Sequence, residues 1–396
     1  MRGEGTPSPL PAGGCSMTSP TAILFVWVPL GIMVYNWLVF PALLMIAVKL
    51  RRAKPAAANA SDIPCVSIVI AAWNEELCIA DKIRDCLALD YPADRLEIII
   101  GTDAVTDRTN DIVRSFHEKS VRLWTVDERL GKSEVLNRLV SLANGDLILF
   151  TDADVLMAPD ALRLAVARFS DAKAGALLFN YERRNEDGHV AEGLWDRYEN
   201  WLKEMEGELG AAVGAYGWAL MIRKSLCQPI PADTILDDFV LGTRPFLWGY
   251  AAVYEPRALS LTKAEAPRVE FARKVRNGRG TAQAFLRYVD LFSPRHGTSA
   301  WVLFSHKLLR ALTPFLLLSI LAGSAAGWRI PFFRVALVLQ LLVYVTTPLV
   351  LVARGPLRKS LFPQYYVWAN LALLAGYWQY FFGRRLSYNW LRTARR

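Results

Sequence analysis

Apolar, β-branched runs alternate with amphipathic segments between residues 65 and 150, and this alternation constrains the fold more than any other feature of the chain. The runs predict strands over Cys65–Ala72, Leu96–Ile100, Val121–Val126 and Leu147–Phe150. Between them, apolar residues at helical spacing predict helices over Ile79–Leu87, Asp107–Phe116 and Ser133–Leu142. A β-α-β-α-β-α-β order is typical of an α/β fold with a mostly parallel sheet and helices on both faces.

Polar side chains follow three of these strands. They are Asn74 with Glu75, then Asp103, then Asp152 with Asp154. Ligands of open α/β sheets bind beyond the carboxyl ends of the strands. The turn preference of Asp and Asn explains one such loop easily, and explains three at one edge less well. The sequence therefore predicts a nucleotide-type site at this edge of the sheet.

The pair Asp152 and Asp154 is the candidate metal site. In extended backbone, residues two apart point to the same side, so both carboxylates project together while Ala153 turns away. Hard oxygen ligands suit Mg²⁺ or Mn²⁺, which can in turn hold a diphosphate. Taken alone, Asp-x-Asp is common by chance, and a polar turn after a strand is the alternative.

Composition separates a soluble part from membrane parts. The formal net charge is +9 and 53% of the residues are hydrophobic. Residues 22–48 contain no charged side chain, and this length is sufficient to cross a hydrocarbon core of roughly 30 Å. A soluble domain is predicted over 55–300, followed by interfacial and about three membrane helices over 301–384. The terminal segments are a disordered tail at 1–20 and a basic tail at 385–396.

Four cations follow the first apolar segment: Lys49, Arg51, Arg52 and Lys54. By the positive-inside rule they predict a cytoplasmic domain on a multi-pass inner (plasma) membrane protein. This explains the basic surplus, and no nucleic-acid-binding motif is visible. Three complete C-terminal crossings would place the basic tail outside, so the segment 364–383 is expected to be interfacial or re-entrant. The five irregularly spaced cysteines support neither a disulfide framework nor a zinc site.

Two common nucleotide motifs are absent. Arg129–Ser133 looks like half a P-loop, but Val126 stands where the first glycine belongs. The glycines of Gly210–Gly217 do not have dinucleotide-binding spacing. Lys132, at a predicted helix start, is either a phosphate-binding cation or a solvated lysine.

The acidic pair Asp237–Asp238 lies inside an apolar frame. Neighbouring side chains point apart, so only one is expected to face a given pocket. A carboxylate in apolar surroundings has a raised pKa and can serve as a general base. Capping of the following helix by either residue is an equally good interpretation.

Two further groups have double interpretations. Arg273 and Arg276 share a helix face and either grip a diphosphate or contact lipid headgroups. The aromatic residues before the Gly-rich stretch either stack on acceptor sugars or fill the core; they are Trp195, Tyr198 and Trp201.

Together these residues resemble a membrane-bound family 2 glycosyltransferase, a class that includes the synthases of cellulose, hyaluronan and poly-N-acetylglucosamine. The likeness covers about residues 25–396. Its motifs here are Val66–Glu76, Thr102–Thr109, Gly131-Lys132 with Leu136-Asn137, Asp152–Asp154 and Leu236–Asp238. No single motif is specific for this family, but the five motifs in the family's order are.

The resemblance implies a GT-A (Rossmann-like) nucleotide-sugar-binding domain and an inverting hexosyltransferase. It implies that Asp238 is the catalytic base and that Asp152 and Asp154 hold a divalent cation, Mg²⁺ or Mn²⁺. The implied contacts to the nucleotide sugar, a UDP-sugar, come from Ala72, Trp73, Glu75, Asp103, Lys132, Asp152, Arg273 and Arg276. The acceptor is a saccharide or a lipid-linked hydroxyl, in exopolysaccharide or cell-envelope glycan synthesis.

One departure bears on the product. Processive members carry Gln-x-x-Arg-Trp, whereas this chain has Arg273 and Asn277 at the first and last positions. Transfer of a single sugar to a lipid acceptor is therefore the first alternative. A catalytically silent nucleotide-binding membrane protein is the second.

Overall fold

The computed structural model describes residues 19–51, 63–184, 190, 193–214, 219–263, 267–349 and 361–383. The predicted tails lie outside the described residues, except that helix already begins at Ser19. The linker at 350–360 lies outside them as well.

An eight-stranded sheet forms the centre of the described domain, in the order β3-β2-β1-β4-β7-β6-β8-β5. The strands are β1 Val66–Ala72, β2 Leu96–Asp103, β3 Val121–Val126, β4 Leu147–Thr151, β5 Leu156–Met157, β6 Ala174–Arg184, β7 Ala219–Arg223 and β8 Ala251–Lys263. Strands β3, β2, β1 and β4 pair in parallel. Strand β7 runs antiparallel between β4 and β6, and β6 pairs in parallel with β8.

The described helices follow in chain order. They are α1 Ser19–Val34, α2 Phe40–Leu50, α3 Ile79–Leu87, α4 Thr109–Arg114, α5 Lys132–Leu142, α6 Ala161–Ala167, α7 Leu194–Glu208, α8 Asp237–Thr243, α9 Pro267–Arg287, α10 Thr298–Val302, α11 Leu309–Ala311, α12 Thr313–Ala326, α13 Pro331–Thr346 and α14 Phe362–Phe382. Two π-helical segments interrupt this series, Tyr35–Val39 and Leu303–Leu308.

Each face of the sheet has its own core. Helices α5, α7 and α8 bury Leu139, Leu202 and Val240 on one face. Helices α3 and α6 bury Ile83 and Leu162 on the other. The predicted α/β architecture with a mostly parallel sheet is confirmed, and the strands β1 to β4 agree with the sequence prediction to within a few residues.

The helices outside the sheet domain belong in part to a second compact unit, whose described residues are 19–34, 312–349 and 361–368. Within it, α12 packs closely on α1 at Gly323, where a side chain would meet Phe25 and Val26. Trp27 and Phe332 stack with ring centroids 5.5 Å apart.

One described helical stretch, Thr21–Leu50, is long and apolar enough to cross a membrane. Thr298–Ala311 and Thr313–Ala326 reach that length only as one broken span, and Pro331–Thr346 is apolar but shorter. The count of about three C-terminal crossings therefore stays a prediction.

Candidate active site at the carboxyl edge of the sheet

Lys132 joins two acidic motifs that are far apart in sequence. Its ammonium lies 2.9 Å from Asp152 Oδ1 and 3.1 Å from Asp237 Oδ2. Asp152 follows β4, Lys132 opens α5, and Asp237 opens α8. The carboxyl ends of the parallel strands β3 and β4 bring Lys132 and Asp152 to one edge. Strand β7 is antiparallel and ends at the other edge, so Asp237 is brought to this point by the loop between β7 and α8.

A small cavity lies beside this cluster. Asp238 lines it together with Lys132, Asp152 and Asp237, and its apolar wall is formed by Leu136, Phe150, Leu220 and Leu241. The expectation that only one of Asp237 and Asp238 would face a given pocket is therefore wrong. In the first turn of a helix consecutive side chains diverge by about 100°, which still lets both reach one concave surface.

The capping interpretation of the acidic pair is also wrong. The residue before the first turn of α8 is Leu236, and both acids lie inside that turn. Asp238 Oδ1 accepts a hydrogen bond from the backbone N–H of Phe239 at 2.8 Å.

Side-chain hydrogen bonds fix the loop that leads into α8. Asn137 exchanges two bonds with the backbone of Ile230, at 2.8 and 2.9 Å. Ser133 Oγ donates to the carbonyl of Thr234 at 3.1 Å, and Gln283 of α9 accepts from the N–H of Ile235 at 2.9 Å. The motif residues Ser133 and Asn137 thus position the acidic pair relative to Lys132.

The loops after β1 and β2 are tied to each other. Asn74, at φ 56°, accepts from the N–H of Thr106 at 2.8 Å and donates to its hydroxyl at 3.0 Å. Thr109 Oγ1 accepts from the N–H of Glu75 at 2.8 Å, and Asp107 Oδ2 accepts from Glu76 at 3.2 Å. These contacts hold Glu75 at the edge of the sheet.

Asp103 is fully buried and holds the loop before α5. Its carboxylate accepts hydrogen bonds from the N–H groups of Leu130 and Gly131 at 2.6 and 3.1 Å, and it lies 3.2 Å from the guanidinium of Arg129. That guanidinium lies over the ring of Trp73, 3.7 Å from its centroid. Arg129 was not among the predicted site residues, and its only sequence signal is its place beside Gly131-Lys132.

The remaining predicted residues occupy different positions. Ala72 is buried at the end of β1, in register with Thr102. Asp154 and Asp237 lie within electrostatic range of Asp152. Strand β4 ends at Thr151 and residues 153 and 154 form a turn, so the extended backbone expected for the pair is wrong. Arg273 and Arg276 lie on α9, and no described residue accepts a hydrogen bond from the buried Nε of Arg276.

The charge balance of the cluster keeps Lys132 protonated. Burial alone would lower its pKa, but the carboxylates of Asp152 and Asp237 raise it above its ordinary value. A fixed cation between two acidic motifs can neutralise a bound phosphate.

The carboxylates fit a divalent ion that a substrate completes. Among the residues that the structure describes, no group of three or more His, Cys, Asp or Glu side chains is arranged to hold a metal ion. Mg²⁺, however, is commonly bound through one or two carboxylates with substrate phosphates and water filling the other positions. Asp152 and Asp154 at one strand end match that donor set.

A second charged cluster, not predicted from the sequence, lies inside the domain. His306 contacts Glu206 through Nδ1 and lies 3.2 Å from Glu199 Oε2 through Nε2. Arg310 pairs with Glu199 and lies over the rings of Trp37, Trp195 and Tyr198. Burial would raise the pKa of Glu199, but Arg310 and His306 hold it well below its usual range.

Lys203 of α7 is almost completely buried beside this cluster. Burial lowers the pKa of Lys203 to about 7, and Lys307 nearby acts in the same direction. The folded state therefore binds fewer protons than the unfolded state between pH 7 and the ordinary lysine pKa of 10.5. The contribution of Lys203 to the free energy of unfolding therefore rises with pH between pH 7 and 10.5.

Lys203→Met is expected to stabilise the protein near pH 7, and the gain should shrink as pH rises, by on the order of 1 kcal/mol per pH unit. Unfolding midpoints in detergent at pH 7, 8 and 9, compared with wild type, measure the difference. Lys173→Met, at an exposed lysine, is the control. A gain that does not change with pH would contradict the prediction.

Comparison with known proteins identifies the class. The fold resembles that of a mannosyltransferase from Pyrobaculum calidifontis solved with GDP-Man and Mn²⁺, with a TM-score of 0.67, 24% identity, and coverage of 92% of this chain and 99% of that one. The likeness supports a GT-A-type α/β fold.

The family model for glycosyl transferase family 2 matches residues 67–228. This segment therefore carries the family 2 domain that the motifs predict.

Curated relatives agree with that class. The chain is 29% identical over 253 residues to the probable glycosyltransferase YdaM of Bacillus subtilis, covering 59% of each. It is 27% identical over 270 residues to a beta-monoglucosyldiacylglycerol synthase of Nostoc sp., covering 64% of this chain and 57% of the relative. It is 26% identical over 244 residues to a poly-beta-1,6-N-acetyl-D-glucosamine synthase of Staphylococcus aureus, covering 59% and 58%. The chain thus spans less than three fifths of the length of these relatives.

Proposed function

We propose that the protein is a membrane-bound inverting glycosyltransferase that moves a sugar from a nucleotide sugar onto a hydroxyl of a saccharide or lipid-linked acceptor. The observation that carries the proposal is the position of Lys132 between Asp152 and Asp237, with Asp238 lining the same cavity. A cation that can neutralise a diphosphate and a candidate general base thereby lie at one edge of the sheet.

The donor occupies the edge formed by the first two strands and α5. Ala72, Trp73, Glu75 and Asp103 surround the nucleoside. Lys132 neutralises the diphosphate, and the guanidinium of Arg276, whose Nε has no acceptor among the described residues, assists it with Arg273. Arginine suits this task because its planar fork matches phosphate oxygens.

Asp152 and Asp154 hold a divalent cation, Mg²⁺ or Mn²⁺, which as a Lewis acid stabilises the departing nucleotide diphosphate. The similar mannosyltransferase was solved in complex with Mn²⁺, which supports this assignment.

Asp238 removes the proton of the acceptor hydroxyl. The oxygen then forms a bond to the anomeric carbon while the bond from that carbon to the diphosphate breaks on the opposite side. An in-line displacement of this kind inverts the anomeric centre.

The nucleotide is proposed to be UDP from the likeness of the motifs. GDP is the second candidate, because the similar mannosyltransferase was solved in complex with GDP-Man. The relatives are named for one polymer product and one glycolipid product. Arg273 and Asn277 replace residues of the processive motif, and this favours testing single-sugar transfer beside polymer synthesis.

The membrane assignment rests on the helical stretch Thr21–Leu50 and on the cations that follow it. We place the catalytic domain on the cytoplasmic side of the inner membrane, where nucleotide sugars are made.

A donor panel tests the proposal. Membranes containing the protein are incubated with UDP-glucose, UDP-N-acetylglucosamine, UDP-galactose, UDP-glucuronate or GDP-mannose, with Mn²⁺ or Mg²⁺ and with or without EDTA. We expect one donor to release its nucleotide in a cation-dependent way, and product sizing separates a polymer from a single addition. Nucleotide release that EDTA does not reduce would contradict the proposed role of the divalent cation. No release from any donor would contradict the proposed activity.

A further inference from the structure

A second cleft opens between α7 and the middle of β6 and β8, next to Pro256. It has a volume of about 270 Å³, at the lower end of small-ligand pockets, which hold roughly 300–1,000 Å³. Its lining is polar and aromatic: Asn180, Arg197, Asn200, Trp201, Glu204 and Tyr254. None of these residues belongs to the donor site described above.

The floor of the cleft is fixed by a bulge in β8. Phe179 pairs with Glu255 but Asn180 pairs with Leu259, so β8 loops out between them. Tyr254 donates its hydroxyl to Asn180 Oδ1 at 2.8 Å, and Asn180 Nδ2 donates to the carbonyl of Pro256 at 2.9 Å. Bulges of this kind are over-represented next to active sites, where they re-aim side chains.

The wall of the cleft is one face of α7. Arg197, Trp201 and Glu204 are exposed and follow each other at spacings of four and three residues, which places them on one side of the helix. Gly207 brings α7 close to β8, because a side chain there would lie 2.7 Å from the backbone nitrogen of Tyr254. The Trp201 side chain is 38% exposed, although tryptophan is usually highly buried.

One polar group on this wall lacks a partner. Asn200 Oδ1 is buried, and no described residue donates a hydrogen bond to it. A buried amide oxygen without a donor is costly, and a rotation of the Asn200 side chain into the cleft would let a ligand hydroxyl donate to it.

The cleft lies on the same sheet face and at the same edge as the donor site. Phe150 of β4, Leu220 of β7 and Leu178 of β6 form one row across the sheet and share one core. Asp152 and Asn180 each follow this row by two residues in the same direction. Two strand spacings separate them, roughly 10 Å.

From these observations we propose that the cleft is a subsite for neutral pyranose units of the acceptor glycan. The inference rests on the proposed glycosyltransferase function. A pyranose presents an apolar face of C–H bonds that suits the indole of Trp201, and hydroxyls that suit Asn200, Arg197 and Glu204. The single positive and single negative charge on the wall favour a neutral sugar over an anionic one.

Direct binding tests this subsite separately from catalysis. The full-length protein in detergent is titrated with cellotetraose, chitotetraose and mannotetraose, followed by saturation-transfer NMR, and separately with UDP and Mn²⁺. We expect at least one tetrasaccharide to bind, Trp201→Ala and Asn200→Ala to weaken it by about tenfold, and Trp201→Phe to restore part of the affinity. Nucleotide affinity should stay the same in all variants.

Trp248→Ala, at another exposed tryptophan, is the matched control and should bind saccharide normally. Unchanged saccharide binding in Trp201→Ala and Asn200→Ala would overturn the subsite, as would failure of all three tetrasaccharides to bind protein that still binds nucleotide. Loss of vesicle association in Trp201→Ala without loss of saccharide binding would assign this face to lipid instead. Saccharide binding without any sugar transfer would count against the proposed function and not against the subsite.

Discussion

Asp238→Asn is expected to lower sugar transfer by roughly 10²–10⁴-fold, the range typical of a lost general base. The amide has nearly the shape of the carboxylate but cannot accept the proton of the acceptor hydroxyl. Nucleotide affinity should change little, because Asp237 makes the 3.1 Å contact with Lys132 and is kept in this variant. Initial rates with saturating donor, together with calorimetric titration of nucleotide, measure the two effects.

Two matched variants sharpen this test. Asp94→Asn removes a carboxylate whose side chain is 81% exposed, and should leave transfer at the wild-type rate. Asp237→Asn removes a partner of Lys132 and should change donor affinity more than turnover. If Asp237→Asn abolished turnover while Asp238→Asn transferred normally, the base would be Asp237 and the assignment would be wrong.

The first half of the fold is predictable from sequence because the strands β1, β2 and β4 are buried on both faces. Such strands have continuous apolar runs, which can be recognised in the sequence although apolar and polar residues do not alternate. Strand β2 extends to Asp103, three residues beyond the prediction, because Gly101, Thr102 and Asp103 resemble turn residues locally. Pairing with Trp124, Thr125 and Val126 of β3 overrides that local signal.

The second half of the sheet is harder to predict for a physical reason. Strand β7 is only five residues long and runs antiparallel between β4 and β6. Its apolar run carries no mark of strand direction, and its neighbours come from distant parts of the chain. Its place in the sheet has no local sequence signal, whereas the bulge of β8 falls at Pro256, a residue that cannot donate to the ladder.

The candidate site also has a part that the sequence predicts and a part that it does not. Asp152, Lys132 and Asp238 are predictable because each lies in a short motif next to a regular element. The ion pair between Lys132 and Asp237 joins residues 105 positions apart, and the cation–π contact between Arg129 and Trp73 joins residues 56 apart. Such contacts depend on how the loops close, which local patterning does not encode.

Helix α7 shows how the structure separates interpretations that the sequence leaves open. Trp195 and Tyr198 are half-buried and lie against Trp37 and Arg310. Trp201, one turn later, is exposed in the second cleft. The aromatic series therefore contributes to packing at one end, while Trp201 at the other end is exposed in the proposed sugar subsite.

Lys132→Met is expected to raise the donor KM on the order of 100-fold, because a hydrogen bond to a charged group is worth about 1.5–3 kcal/mol and each 1.4 kcal/mol is tenfold. The substitution keeps the length of the side chain but leaves Asp152 and Asp237 without the cation that now lies between them. Their negative charge then repels the diphosphate. Donor KM at fixed Mn²⁺, with calorimetric nucleotide titration, measures the loss.

Lys132→Arg separates charge from geometry in the same assay. It keeps the positive charge, so its donor KM should lie between those of wild type and Lys132→Met. Lys173→Met, at an exposed lysine on the sheet domain, should leave the donor KM unchanged. A wild-type donor KM in Lys132→Met would show that the lysine holds the acidic motifs together without touching the donor. In that case its loss should appear as a lower unfolding midpoint and not as weaker nucleotide binding.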